Sequence, residues 1–286
     1  MGDPCDIGRL PPWLRKGAGE AASTHAMKKR LRVRGLHTVC EEARCPNLGE
    51  CFARGTAAIM IMGAACTRAC RFCAVGTGIL APLNPMEPSR VAEQVREMGL
   101  GHVVITSVTR DDLADGGAAH FAATVSAVRE RCPAAIEVLT PDFEGREGDI
   151  RTVCSAAPDI FNHNVETVER LSPSIRDRAS YGRSLEVLAV AKALMSGGLI
   201  KSGLMVGLGE SDEEVEDTII DLAKIGCDVV TIGQYLRPTK ANMPVARYVE
   251  PEIFRKYEAM GLKHGIKHMF CGPFVRSSYL ADKALL

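Results

Sequence analysis

The sequence predicts an α/β fold, a partial TIM-like (β/α)6 barrel with an irregular N-terminal extension and a short C-terminal one. Three observations lead there. From residue 57 onward, short apolar runs alternate with amphipathic stretches, the pattern of βα units with parallel strands. Several of those stretches carry helix start and stop signals. A length of 286 residues suits one barrel plus short extensions and is long enough to bury a sizeable core. A doubly wound open sheet is the alternative, because periodicity alone does not separate the two.

Residues 1–56 lack clean periodicity and contain Pro11-Pro12-Trp13, a Gly/Ala-rich turn region and a cysteine triplet, so they read as an extension organised by metal. Residues 57–250 form the barrel, with strands expected at Ala57–Met62, His102–Ser107, Ala135–Leu139, Asp159–Asn164, Ile200–Val206 and Asp228–Tyr235. Val91, Val95 and Met98, followed by Gly99, mark one helix, and Phe121, Val125 and Val128 mark the next. After Ser211, Glu214 completes a capping box, and Val215, Ile219 and Leu222 fall at i, i+4 and i+7. Gly226 stands where a left-handed C-terminal cap belongs. Residues 251–286 read as a helix and an extension carrying Arg276-Ser277-Ser278-Tyr279.

The 35 basic and 35 acidic residues cancel, so no global field draws nucleic acid or an anionic membrane. No apolar run reaches the roughly 18 to 20 residues that span a bilayer, and the N-terminus, with Asp3 and Asp6, does not read as a transit peptide. A cytoplasmic location is expected. Six of eleven cysteines form two triplets, Cys40-x4-Cys45-x5-Cys51 and Cys66-x3-Cys70-x2-Cys73. Disulfides fit poorly, since the count is odd and Cys5, Cys132, Cys154, Cys227 and Cys271 are scattered singly. Structural zinc draws four ligands, commonly from paired C-x2-C or H-x3-H elements, and each triplet offers three thiolates. Iron-sulfur clusters suit thiolates best, and three cysteines on a four-iron cluster leave one iron open to another ligand, such as the amino and carboxylate groups of an amino acid. The second triplet directly follows the first expected strand, at the C-terminal rim where barrels assemble their sites. The segment from Gly63 to Pro88 is also far longer than the usual two to six residues of a βα loop.

Cys66-Thr67-Arg68-Ala69-Cys70-Arg71-Phe72-Cys73 resembles the signature of radical S-adenosylmethionine (SAM) enzymes, including the aromatic residue before the last cysteine. With the first triplet ahead of it, and with Pro12-Trp13-Leu14-Arg15, Glu41-Glu42-Ala43-Arg44-Cys45-Pro46-Asn47 and Arg276-Ser277-Ser278-Tyr279, the chain resembles the lipoyl synthase family from about Pro11 to Tyr279. The resemblance implies that Cys66, Cys70 and Cys73 bind the SAM-cleaving 4Fe-4S cluster. It further implies that Cys40, Cys45 and Cys51 bind a second, sulfur-donating 4Fe-4S cluster, whose last iron is ligated by Ser278, with Ser277 as the neighbouring alternative. The implied reaction inserts two sulfurs at C6 and C8 of a protein-bound octanoyl-lysine, using two SAM per product. Its implied partners are an octanoylated lipoyl carrier protein or domain, an electron donor such as ferredoxin or flavodoxin, and an iron-sulfur carrier that rebuilds the consumed cluster. Two other readings stay open: another sulfur-inserting radical SAM enzyme (biotin synthase-like or a methylthiotransferase), and a two-cluster electron carrier.

Residues near the expected strand ends complete the candidate site. By resemblance, Asn164 and Glu166 contact SAM, as do Thr106, Ser107 and Asp112, while placement alone fits strand ends and turns equally well. Arg183 is a candidate for the SAM carboxylate because a guanidinium pairs bidentately with it; a surface arginine beside a helix cap is the plainer reading. Gly207-Leu208-Gly209-Glu210 lacks the full dinucleotide fingerprint and is expected near the adenine by resemblance. His163 is read as structural, and His264 and His268, at i and i+4 of a possible helix, as surface histidines. Lys28-Lys29-Arg30-Leu31-Arg32-Val33-Arg34 is a solvated face or a dock for an acidic carrier.

Overall fold

The computed structural model describes residues 10–15, 37–38, 47–279 and 281–285, so Cys40, Cys45 and the basic run from Lys28 to Arg34 lie outside the described residues. One sheet runs in sequence order through β1 (His37–Thr38), β2 (Thr56–Ile61), β3 (His102–Ser107), β4 (Ala135–Leu139), β5 (Ile160–Asn162), β6 (Leu199–Val206), β7 (Val229–Gln234) and β8 (His268–Gly272). β1 pairs antiparallel with β2, and β2 through β8 are parallel throughout. A doubly wound sheet reverses its strand order at a switch point, and this one never does, so the barrel alternative holds.

α1 (Leu48–Ala53) precedes β2, and six βα units follow. Their helices are α2 (Glu87–Met98), α3 (Ala118–Arg131), α4 (Glu147–Ser155), the short α5 (Ser172–Ile175) with α6 (Tyr181–Leu194), α7 (Asp212–Lys224) and α8 (Pro251–Lys263). The α7 signals fold as expected: Ser211 Oγ accepts from the Glu214 N–H at 3.2 Å and the Glu214 carboxylate accepts from the Ser211 N–H at 2.8 Å. Val215, Ile219 and Leu222 are fully buried, and Gly226 takes φ +76°. Two expectations need correction. The parallel sheet has a seventh strand, β8, inside residues 251–286; it is short and only half-buried, so no apolar run announces it. His264 and His268 do not share a helix, because α8 stops at Lys263 and His268 opens β8; His264 instead meets Glu216 at 3.0 Å.

The barrel interior is polar at mid-height. Lys201 of β6 donates to Glu137 of β4 at 2.9 Å, and Asn162 of β5 donates to the other Glu137 oxygen at 2.6 Å; lysine and glutamate are both sealed from solvent. Below them Ile160, Leu199, Val229 and Phe270 close the barrel floor with Ala284. Above them the same strand faces end in Thr106, Leu139 and Met205, which line a cavity. His163, just past β5, ties the rim to α6 through Thr140 O at 2.9 Å and Ser184 Oγ at 3.0 Å.

Lys201→Met strands a buried carboxylate and is expected to cost about 3–5 kcal/mol in chemical denaturation of the anaerobic holoprotein, with Glu137→Leu/Lys201→Met recovering most of the loss. Burial, reinforced by the nearby Arg176 charge, lowers His163 to about 4. The folded state therefore binds this proton less readily than the unfolded chain. The stabilisation is complete above the unfolded value of about 6.5 and declines as pH falls toward about 4. His163→Gln is expected to flatten that part of the stability-pH curve.

Candidate functional site

The second cysteine triplet lies in the long loop between β2 and α2, over the C-terminal ends of the parallel strands. Buried ion pairing holds this loop down. Arg68, between Cys66 and Cys70, makes two 2.9 Å hydrogen bonds to Asp111 and one of 2.7 Å to Asp142. Burial opposes the charge on Asp142, but the bond and charge of Arg68 prevail and hold its carboxyl at about 2. Thr67 adds a backbone bond to Thr109 O at 3.0 Å and a hydroxyl contact to Asp111 at 3.1 Å. From the opposite side, the Arg71 N–H donates to Ile175 O at 2.9 Å and the Ala69 N–H to Asp177 Oδ2 at 2.8 Å.

This bracing presents Cys66, Cys70 and Cys73 to a cavity of about 470 Å³ lined also by Met60, Leu139, Asn164, Glu166 and Arg176. Burial raises the Cys70 thiol and pushes Cys73 up to about 11, so metal binding here must displace protons. No three histidine, cysteine or carboxylate groups among the described residues close around a single metal ion. The cavity wall also fits a polar ligand: among the described residues, Asn164 Oδ1 and Ser107 Oγ are buried without a hydrogen-bond partner. Arg176, 7% exposed, bonds to Ser184 Oγ at 2.9 Å and Val165 O at 3.2 Å and forms no ion pair with a carboxylate among the described residues. Burial raises Glu166, whose backbone takes a left-handed φ of 66° at the rim.

The C-terminal turn caps the cavity. Gly233 of β7 permits it, since a Cβ there would stand 2.1 Å from Val275 O. Ser277 and Ser278 both line the cavity. Asn164 donates to Ser277 Oγ at 2.8 Å and to Glu166 at 3.1 Å, while the Ser278 hydroxyl has no hydrogen-bond partner among the described residues. Tyr279 donates to Glu50 of α1 at 2.8 Å, and Asn47 donates to Phe274 O at 2.5 Å. Cys51, the described member of the first triplet, is half-exposed on that same α1.

Of the residues singled out in the sequence, Cys66, Cys70, Cys73, Thr106, Ser107, Asn164, Glu166 and Ser278 meet at this cavity. Asp112 does not: Arg110 holds both its oxygens at 2.8 Å, and the neighbouring Asp111 turns toward the cysteine loop instead. Arg183 does not either, because its guanidinium braces Asp142 at 3.2 Å from outside the cavity. The Gly207–Glu210 turn also stays out of the lining and folds on itself, with Glu210 accepting from the N–H groups of Gly207 at 2.6 Å and Leu208 at 2.9 Å. Sequence reasoning missed Arg68 and Arg176. Arg68 sat inside the signature and was readable only as a spacer, and Arg176 follows a helix too short to give periodicity.

Residues 60–222 match the Radical SAM superfamily, and residues 5–45 match the N-terminal domain of lipoyl synthase of the Radical SAM family. The lipoyl synthase of Rubrobacter xylanophilus is 55% identical, covering 96% of this chain and 85% of the relative. That of Caldanaerobacter subterraneus subsp. tengcongensis is 54% identical, covering 97% of each. Among solved structures, methylornithine synthase shares the fold at a TM-score of 0.57 and 14% identity, covering 92% of this chain and 88% of that one. Streptococcus suis SuiB bound to its precursor peptide aligns at a TM-score of 0.60 and 10% identity, covering 87% of this chain and 52% of that one. Sheet topology, cysteine spacing and near-full-length identity agree, and the chain belongs to the lipoyl synthases of the radical SAM superfamily.

Proposed function

We propose that the chain inserts two sulfur atoms, at C6 and C8, into an octanoyl group carried on a lysine of a lipoyl carrier protein or domain. The observation that supports this most strongly is the meeting of two chemistries at one cavity. A three-cysteine loop faces it from the barrel, and a turn whose Ser278 hydroxyl has no partner among the described residues, tied to a cysteine-bearing helix, covers it.

Radical SAM enzymes use a 4Fe-4S cluster and SAM, which together supply a 5′-deoxyadenosyl radical able to take hydrogen from unactivated carbon. In this reading Cys66, Cys70 and Cys73 hold that cluster. Arg176 pairs with the SAM carboxylate, since a buried guanidinium lacking a carboxylate partner is matched by one. Asn164 Oδ1 accepts from the SAM amino group, with Glu166 beside it. Met60, Leu139 and Met205 keep water from the reacting carbon and exclude polar hydrogen donors. Cys40, Cys45 and Cys51 hold a second 4Fe-4S cluster as the sulfur source, with Ser278 on its remaining iron. Ser278 suits that role better than Ser277, whose hydroxyl Asn164 already engages. Serine oxygen is a harder ligand than thiolate, so Ser278 would be the ligand of such a cluster most easily exchanged. Two SAM are consumed per product in the cytoplasm, with electrons from a small redox protein and cluster replacement by an iron-sulfur carrier.

Anaerobic incubation with SAM, reductant and an octanoylated carrier, read by mass spectrometry, should show two sulfurs added; an unmodified carrier would refute the assignment. Cys45→Ala is expected to keep 5′-deoxyadenosine formation while losing sulfur insertion, and equal loss of both would contradict separate roles. Cys70→Ala should abolish 5′-deoxyadenosine. Arg176→Ala removes a charged contact worth about 1.5–3 kcal/mol, so SAM affinity should weaken roughly 10- to 100-fold in equilibrium binding.

A further inference from the structure

Each thiol of the second triplet accepts one backbone N–H at 3.4 Å: Cys66 from Arg68, Cys73 from Val75 and Cys70 from Asp177. The first two donors sit two residues along the same loop and move with their cysteines. The third comes from 107 residues away and reaches Cys70 only while two separate segments stay in register.

Asp177 supplies both halves of that register. Its Oδ2 accepts from the N–H of Ala69, the residue before Cys70, at 2.8 Å, while its own N–H points at the Cys70 sulfur. Arg71 N–H to Ile175 O at 2.9 Å extends the pairing, and Arg178 reaches back to Thr67 O. The side chain of Asp177 meets Arg178 only at 3.7 Å, a partly exposed ion pair that adds little.

We propose that Asp177 is a positioning residue: its carboxylate, by gripping Ala69, keeps its own N–H on the Cys70 sulfur and thereby sets the reduction potential of the cluster held there. The inference rests on the cluster assignment proposed above. An N–H donated to a cluster thiolate stabilises the more electron-rich reduced state and raises the potential. Losing the donor therefore lowers it. Removing the carboxylate charge acts in the opposite direction, so the test must separate the two effects.

Asp177→Asn and Asp177→Ala both delete the charge, and only alanine deletes the acceptor for Ala69. In EPR-monitored redox titrations of the anaerobic holoproteins, following the signal that Cys70→Ala abolishes, the alanine variant is expected to have the more negative midpoint. Equal midpoints, or a higher one for alanine, would overturn the role of Asp177. Should alanine impair folding, the parent protein labelled with 15N-aspartate gives a second reading. Pulsed EPR of its reduced cluster should show a 15N coupling from the Asp177 amide, and its absence would overturn the proposal. A parent spectrum left wholly unchanged by Cys70→Ala, with no component lost, would overturn the cluster assignment beneath it, and this inference as well.

Discussion

A single guanidinium, buried between two carboxylates, decides where the three-cysteine loop of this chain sits. Arg68 is 6% exposed and satisfies both Asp111, beyond β3, and Asp142, beyond β4. The loop between β2 and α2 is too long to hold its own shape by local turns. Without an anchor its cysteines would sample many arrangements, and metal binding would have to bear the full cost of ordering them. Arg68 moves much of that ordering into protein folding. Desolvation of one charge is offset by two partners, and Arg183 braces Asp142 from outside.

The same logic recurs lower in the barrel. A seven-stranded parallel sheet needs its interior filled, and at mid-height this one is filled by Glu137, Asn162 and Lys201 rather than by aliphatic side chains alone. Apolar packing there would add stability without fixing the strands relative to one another. A hydrogen-bonded ion pair linking β4, β5 and β6 accepts only one register and leaves the floor beneath the cavity rigid. Met205 and Leu139 extend upward from these same strand faces, so the apolar wall of the cavity inherits that rigidity.

Much of this was legible in the residues, for reasons that also explain the gaps. Strands and helices carrying periodic apolar positions and both caps, such as α7, are encoded locally and can be read locally. β8 cannot, because His268–Gly272 is half-buried and relies on pairing with β7. The cysteines announce themselves by spacing. Asp111 and Asp112 are adjacent and chemically identical, and only the direction of the loop assigns one to Arg68 and the other to Arg110. Arg176 acquires its meaning from burial alone, which neither composition nor motif records.

The C-terminal turn joins these parts. Val275 rests on the bare backbone of Gly233, Ser277 bonds to Asn164 at the cavity, and Phe274 and Tyr279 hold α1 through Asn47 and Glu50. One short segment thus touches the barrel strand, the cavity-lining Asn164 and the helix bearing Cys51. If the two triplets hold separate clusters, this turn sets how Cys51 lies relative to the second triplet. Carbon-sulfur bond formation demands that a carbon which has lost its hydrogen at one centre lie within bonding reach of the other before anything else quenches it. Fixed geometry across the mouth of one apolar cavity meets that demand better than proximity by diffusion, because alignment within a bound complex is worth many kilocalories of barrier.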